Sequence, residues 1–351
     1  MTHDRPLHLV FVADERFAMP LGVSVASCLA ALASRPPVEL YLLDGGMRPA
    51  SRRRLHRVIR RSTPEGVRVN VHWAEVPPAW LPDLTNYVFR NTNFNATVFY
   101  RYAIPRLVPA DCDGAVYLDS DVVVRGDVVE LQRAVRNEDS VAAVRDFSIP
   151  TYRHRFSGRT PDALSPYDPA LPYFNSGVLG INVAYWREHG VHEAACRMLS
   201  DHPDTCRWPG QDPLNFTLRG TWREVDLGWN LQTGGPDRIR RLGGSEADHL
   251  GEPYSGIRGR ARIIHFTGNK PWRQGFTNPD RPAWVEALKA SGWYGPVGFR
   301  RWQAGWWGNL LRRQAGKKLE HVLRRHRSRL SDQRPGGDRA STGQAAAERS
   351  S

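Results

Sequence analysis

The stretch "AVYLDSDVVV", residues 115–124, runs four apolar residues, Ala115 to Leu118, directly into Asp119 and Asp121 with only Ser120 between them. Such an apolar run, ending at a turn signal, reads as a strand buried on both faces, of the kind found inside α/β sheets. Carboxylates placed at the end of a buried strand are costly unless a cation or hydrogen-bond donors meet them. The stretch therefore specifies both a central strand and a demand for positive charge at its carboxyl end.

The flanking sequence supplies the rest of the sheet. "LHLVFVAD" (7–14) reads as a buried strand, "PLGVSVASCLAALAS" (20–34) as a helix with Pro20 at its start, and "VELYLLD" (38–44) as a second strand. "RPASRRRLHRVIRR" (48–61) reads as a surface helix, "VRVNVHWAEV" (67–76) as a third strand and "GAVYLD" (114–119) as a fourth. Strands alternating with helices predict a mostly parallel, doubly wound α/β sheet, whose ligands bind beyond the carboxyl ends of the strands. Asp14 closes the first strand and Asp119 the fourth, so both are expected to face that crevice. Neither GxGxxG after the first strand nor GxxxxGK[ST] anywhere is present, so a diphosphate must be held by something other than a glycine loop.

Composition narrows the class. The 351 residues are 40% hydrophobic and 24% charged. No stretch approaches the roughly 18 apolar residues of a membrane span, and the N-terminus lacks the apolar region of a signal peptide, so the protein is expected in the cytoplasm. Cys28, Cys112, Cys196 and Cys206 lie without CxxC spacing and are expected to be reduced and structural. The net charge of +13 is unevenly spread: residues 300–330 hold ten Lys and Arg against one acid, Glu320, leaving a net +4 over residues 1–299. A nearly balanced body argues against a nucleic-acid binder.

The chain is expected to divide into an α/β domain over 1–275, a Trp- and Arg-rich segment over 276–330, and a tail over 331–351 too polar to fold. Within the second part, residues 311–330 place Leu311, Ala315, Leu319, Val322, Leu323 and Leu330 largely on one helical face, opposite most of the basic residues. With Trp302, Trp306 and Trp307 just before it, this segment is expected to attach peripherally to an anionic membrane surface.

A D-x-D at a strand end lets two carboxylates converge on a hard divalent cation, which also binds phosphate oxygens. "RIIHFTGNKPW" (262–272) has the same form, a short apolar strand delivering His265, then Gly268 and Lys270. Histidine completes a manganese site, glycine permits close backbone approach and lysine neutralises phosphate.

Together these motifs resemble glycosyltransferase family 8, whose members include glycogenin-like and bacterial lipopolysaccharide hexosyltransferases. The resemblance runs over about residues 7–275 through "VFVAD", "YRYAIP", "AVYLDSDVVV", "YFNSGVLGINVAYWR", "GQDPLN", "GWN" and "HFTGNKPW". It implies a GT-A fold and retaining transfer of a hexose from a UDP-sugar. By the same resemblance Asp119, Asp121 and His265 bind Mn2+, with Mg2+ as the alternative ion. Gly268 and Lys270 contact the diphosphate, Asp14 the nucleotide base, and Arg101, Asp146, Asn175 and Asp212 the donor sugar or its phosphate. Gln211 lies near the anomeric carbon, which makes Gln211 and Asp212 the catalytic candidates. Gly210 stands where the galactosyltransferase branch often has an acid and Arg16 where a small polar residue often touches the nucleotide, so the donor stays open between UDP-galactose, UDP-glucose and another hexose. The acceptor, whether a glycan, a lipid-linked glycan, a peptide or a small molecule, is expected to meet the loops at 77–97 and 147–172. The rival reading is a binding module, either an inactive sugar-nucleotide sensor or a nucleic-acid binder; the intact set of metal ligands favours an enzyme.

Overall fold

A computed structural model describes residues 5–84, 95–156, 168–241, 243–245, 250–273, 278–309 and 312. Among these residues ten strands form two sheets: β1 (Leu7–Ala13), β2 (Val38–Asp44), β3 (Val69–Ala74), β4 (Gly114–Leu118), β5 (Val122–Val124), β6 (Val141–Arg145), β7 (Phe174–Asn182), β8 (Arg223–Glu224), β9 (Leu231–Gln232) and β10 (Ile263–His265). The large sheet runs β3-β2-β1-β4-β7-β6-β8 and the small one β5-β10-β9. The first four strands of the large sheet are parallel, as the βα alternation predicts, with Leu9 opposite Leu40 and Val116. Beyond β4 the sheet becomes mixed, because β7 inserts antiparallel between β4 and β6.

The apolar runs are explained by burial on both faces. On β1, Leu9 and Phe11 belong to one core cluster and Val10 and Val12 to the other, so between Leu9 and Val12 no position is left for a polar residue. The first cluster lies under the helices Ala18–Ala30 and Pro49–Ser62, and the second under Val183–Glu188, Val191–Asp201 and Asp212–Thr217.

Asp119-Ser120-Asp121 is the point at which the chain leaves the large sheet and enters the small one. Buried Ser24, on the Ala18–Ala30 helix, fixes the turn: its hydroxyl lies 2.8 Å from the carbonyls of both Ser120 and Val122 and accepts from the Val122 N–H. The Ser120 hydroxyl donates to the Val12 carbonyl at the end of β1. β5 then pairs antiparallel with β10, Val122 opposite His265, which brings "DSD" against "RIIH" across 144 residues of sequence.

Residues 278–309 belong to this same packing. The Arg281–Ser291 helix buries Trp284 and Leu288 in the first cluster, and Trp302 packs against Trp284 with ring centroids 5.6 Å apart and the rings tilted by 50°. Trp306 is also buried, donating its indole N–H to the Arg273 carbonyl at 3.1 Å beneath the Arg281 guanidinium. The expectation that Trp302, Trp306 and Trp307 present a membrane-facing cluster is therefore corrected: of the three, Trp307 is the exposed one. The amphipathic stretch 311–330 and the tail lie outside the described residues, apart from Arg312. Among the described residues no helix is long and apolar enough to cross a membrane.

Candidate active site

The strand ends deliver Asp119, Asp121 and His265 to one place, their ligand atoms all within 4.8 Å of one another. His265 Nε2 lies 3.3 Å from Asp121 Oδ1 and 3.7 Å from Asp119 Oδ2. Asp121 is almost wholly buried and its Oδ2 receives the Lys270 ammonium, which also donates to the Phe266 carbonyl at 2.6 Å. Burial alone would raise the Asp121 pKa, but the positive charge beside it, that of Lys270 foremost, outweighs it and holds the carboxylate well below its usual range. Asp119 is met from the other side by buried Arg101, whose Nη2 lies 3.0 Å from Oδ1, and by the Tyr117 hydroxyl. Arg101 is locked in turn by its Nη1 on the Ser176 carbonyl at 2.8 Å and by stacking over the Tyr117 ring. Burial and the neighbouring Asp119 push the Tyr117 phenol well above its ordinary pKa, so it remains a donor.

A second polar group lies across β7. Asn175 Nδ2 and Gln211 Nε2 both donate to Asp146 Oδ2, at 3.2 and 3.1 Å, and Gln211 Oε1 accepts from the Ser176 N–H at 3.2 Å. Ser176 Oγ accepts from Arg101, so it joins the two groups. Gly268 adopts φ +91°, open to glycine but strained for other residues, and faces Gly234 closely enough that a Cβ there would sit 3.4 Å from the Gly234 Cα.

Two of the sequence candidates lie apart from these groups. Asp14 does end β1, but its carboxylate is occupied: Oδ1 caps the turn Glu15–Phe17 through the Arg16 and Phe17 N–H groups, while Oδ2 takes the Arg16 guanidinium and Asn95 Nδ2. Asp212 is fully buried. Its two oxygens take a bidentate Arg155, the Tyr173 hydroxyl and the Trp208 N–H, so the carboxylate holds the start of its helix. In this structure Asp212 is engaged in a buried ion pair, and its expected part in donor contact and catalysis is a proposal. Of the expected acceptor loops, 85–94 and 157–167 fall outside the described residues.

Sequence reasoning missed Tyr117, Ser176, Gly177 and Asn230. Gly177 had a legible signal, a glycine inside an apolar strand, which marks close approach. A Cβ there would lie 2.3 Å from His265 Cε1 and 2.7 Å from Asp119 Oδ2, so the positions of these two side chains require its absence.

A family model described as Glycosyl transferase family 8 matches residues 8–275. The curated "General stress protein A" of Bacillus subtilis (strain 168) is 27% identical over 298 residues, 84% of this chain and 96% of that protein. Lipopolysaccharide 1,2-glucosyltransferase of Escherichia coli (strain K12) is 26% identical over 204 residues, 57% of this chain and 56% of that protein, so the match spans little more than half of it. Among solved structures, galactosyltransferase LgtC in complex with donor and acceptor sugar analogs superposes with a TM-score of 0.65 at 22% identity, over 84% of this chain and all of that one.

Proposed function

Since this chain belongs to glycosyl transferase family 8, we propose that it moves galactose or glucose from a UDP-sugar to a glycan, lipid-linked, peptide or small-molecule acceptor, with Mn2+ or Mg2+ bound and with retention at the anomeric carbon. That it is a glycosyltransferase of the GT-A fold is the firm part of this statement.

The observation that carries the proposal is the convergence of Asp119, Asp121 and His265 beside Lys270 and Arg101. Two carboxylates and an imidazole form a donor set suited to Mn2+, and the low pKa of Asp121 keeps one of them charged without a proton. Asp119, Asp121 and His265 would hold the ion; when bound, it supplies charge neutralisation for a diphosphate leaving group. Lys270 and Arg101 add fixed positive charge beside the same carboxylates, where an anion is drawn in and stabilised as it departs. Gln211, pinned at both ends of its amide by Ser176 and Asp146, is oriented before any substrate arrives, which favours a role at the reacting carbon. This arrangement needs no hydrolase-like carboxylate pair.

The test is a panel of UDP-sugars assayed for hydrolysis with and without Mn2+, alongside titration of UDP into the protein. One donor is expected to be hydrolysed in an Mn2+-dependent way, and Asp121→Asn to abolish that dependence. Equal UDP affinity with and without Mn2+, together with full hydrolysis by Asp121→Asn, would overturn the reading.

A further inference from the structure

We infer that Asn230 is a positioning residue that fixes the His265 imidazole in the tautomer a divalent cation requires, at the end of a hydrogen-bonded relay that begins at Asp146. The inference rests on the proposal that Asp119, Asp121 and His265 hold such a cation.

Asn230 is completely buried at the end of the 3-10 turn Leu227–Asn230. The next residue begins β9, which pairs with β10 in the register Leu231 with Ile264 and Gln232 with His265. That register holds the Asn230 side chain 3.0 Å from His265 Nδ1.

The proton positions follow from groups whose roles are fixed. The Gly177 backbone N–H can only donate, so the Asn175 atom 3.1 Å away is its oxygen. The Asn175 amide nitrogen then points to Asp146 Oδ2, an acceptor, at 3.2 Å. Asn175 Oδ1 has a second neighbour 3.0 Å away in Asn230, which must meet it with its own NH2. The remaining Asn230 atom is therefore the carbonyl oxygen, and the ring nitrogen facing it, Nδ1, carries a proton. In a neutral imidazole this leaves the lone pair on Nε2, between Asp119 and Asp121. A lone pair beside two carboxylates is unfavourable by itself and is the arrangement a cation satisfies.

The relay also joins the two halves of the site. Asp146 Oδ1 is taken by the Ser148 N–H and hydroxyl and by the Ile149 N–H, so Oδ2 is left to orient Asn175 and Gln211 together. One carboxylate oxygen thus sets the amide of Gln211 directly and the imidazole of His265 through two intervening amides.

The test starts with the metal-free full-length protein. Long-range proton–nitrogen NMR at alkaline pH is expected to show the His265 ring protonated on Nδ1, a measurement that needs no variant. Asn230→Ala is expected to give mixed tautomers and to weaken Mn2+ binding, read by electron paramagnetic resonance, by about 10- to 100-fold. Asn230→Asp keeps an acceptor for Nδ1–H although it loses the N–H that meets Asn175, and is expected to hold the Nδ1-protonated tautomer and to bind Mn2+ more tightly than Asn230→Ala, a partial rescue that loss of packing alone would not give. A wild type that binds Mn2+ with His265 protonated on Nε2, or an Asn230→Ala protein with unaltered tautomer and Mn2+ affinity, overturns the role of Asn230. A wild type that binds no Mn2+ overturns instead the metal reading beneath it.

Discussion

Asp212 and Gly177 show how little residue type says about role until the neighbours are known. Asp212 precedes a proline in "GQDPLN" and reads as a site acid, yet its carboxylate is entirely spent on Arg155, Tyr173 and Trp208. Both partners of the ion pair are buried, so removing the charge leaves the Arg155 guanidinium uncompensated. Asp212→Asn is therefore expected to lower the unfolding free energy by about 3–5 kcal/mol, measured by denaturant titration with an unchanged slope. A variant as stable as wild type would contradict the structural role of this ion pair. Gly177 carries no functional group at all, but the room it leaves lets His265 and Asp119 approach each other across β7.

At the scale of the element, the Ala18–Ala30 helix is the support on which the site's turn is built. Its Ser24 clamps the Asp119-Ser120-Asp121 turn, and its opposite side receives the chain that follows the Arg281–Ser291 helix. Gly22, in the middle of this helix, costs roughly 1 kcal/mol relative to alanine on propensity alone. Its reason is contact: a Cβ there would lie 2.5 Å from Cε3 of buried Trp293. Gly22→Ala is thus expected to destabilise the protein despite its better helix propensity, and Trp293→Leu in the same chain to relieve part of the strain. Thermal melts of the two single variants and the double variant measure this; a Gly22→Ala protein that melts higher than wild type contradicts it.

For the whole molecule, the question is what the basic C-terminal segment does. Because Trp306 is buried and hydrogen-bonded, it contributes to the fold of residues 278–309 and is withdrawn from any surface. Trp306→Ala is expected to cost about 3–5 kcal/mol of stability, without changing how the folded protein sediments with vesicles. Attachment to an anionic membrane, as we propose it, then rests on the ten basic residues between 300 and 330 and on exposed Trp307. Binding to anionic vesicles is expected to weaken steeply as salt shortens the screening length below about 10 Å. Equal sedimentation with neutral and anionic vesicles would leave the segment without a membrane role.

What the sequence by itself determined was what repeats along the chain or sits at a strand end. The apolar runs of β1, β2 and β4 announce their own burial, the βα alternation sets the parallel half of the sheet, and "DSD" and "HFTGNK" mark their strands as carriers of charge. Those signals are local, because a strand buried on both faces must be apolar wherever its neighbours lie. The tertiary structure decided what depends on distant partners. The reversal of β7 between β4 and β6, the withdrawal of Asp212 and Trp306 into the interior, and the meeting of Asn230 with His265 each arise from contacts between segments far apart in sequence. A polar side chain at a strand or helix end is written the same way whether it faces a ligand or an arginine, and only the packing around it settles which of the two satisfies its charge.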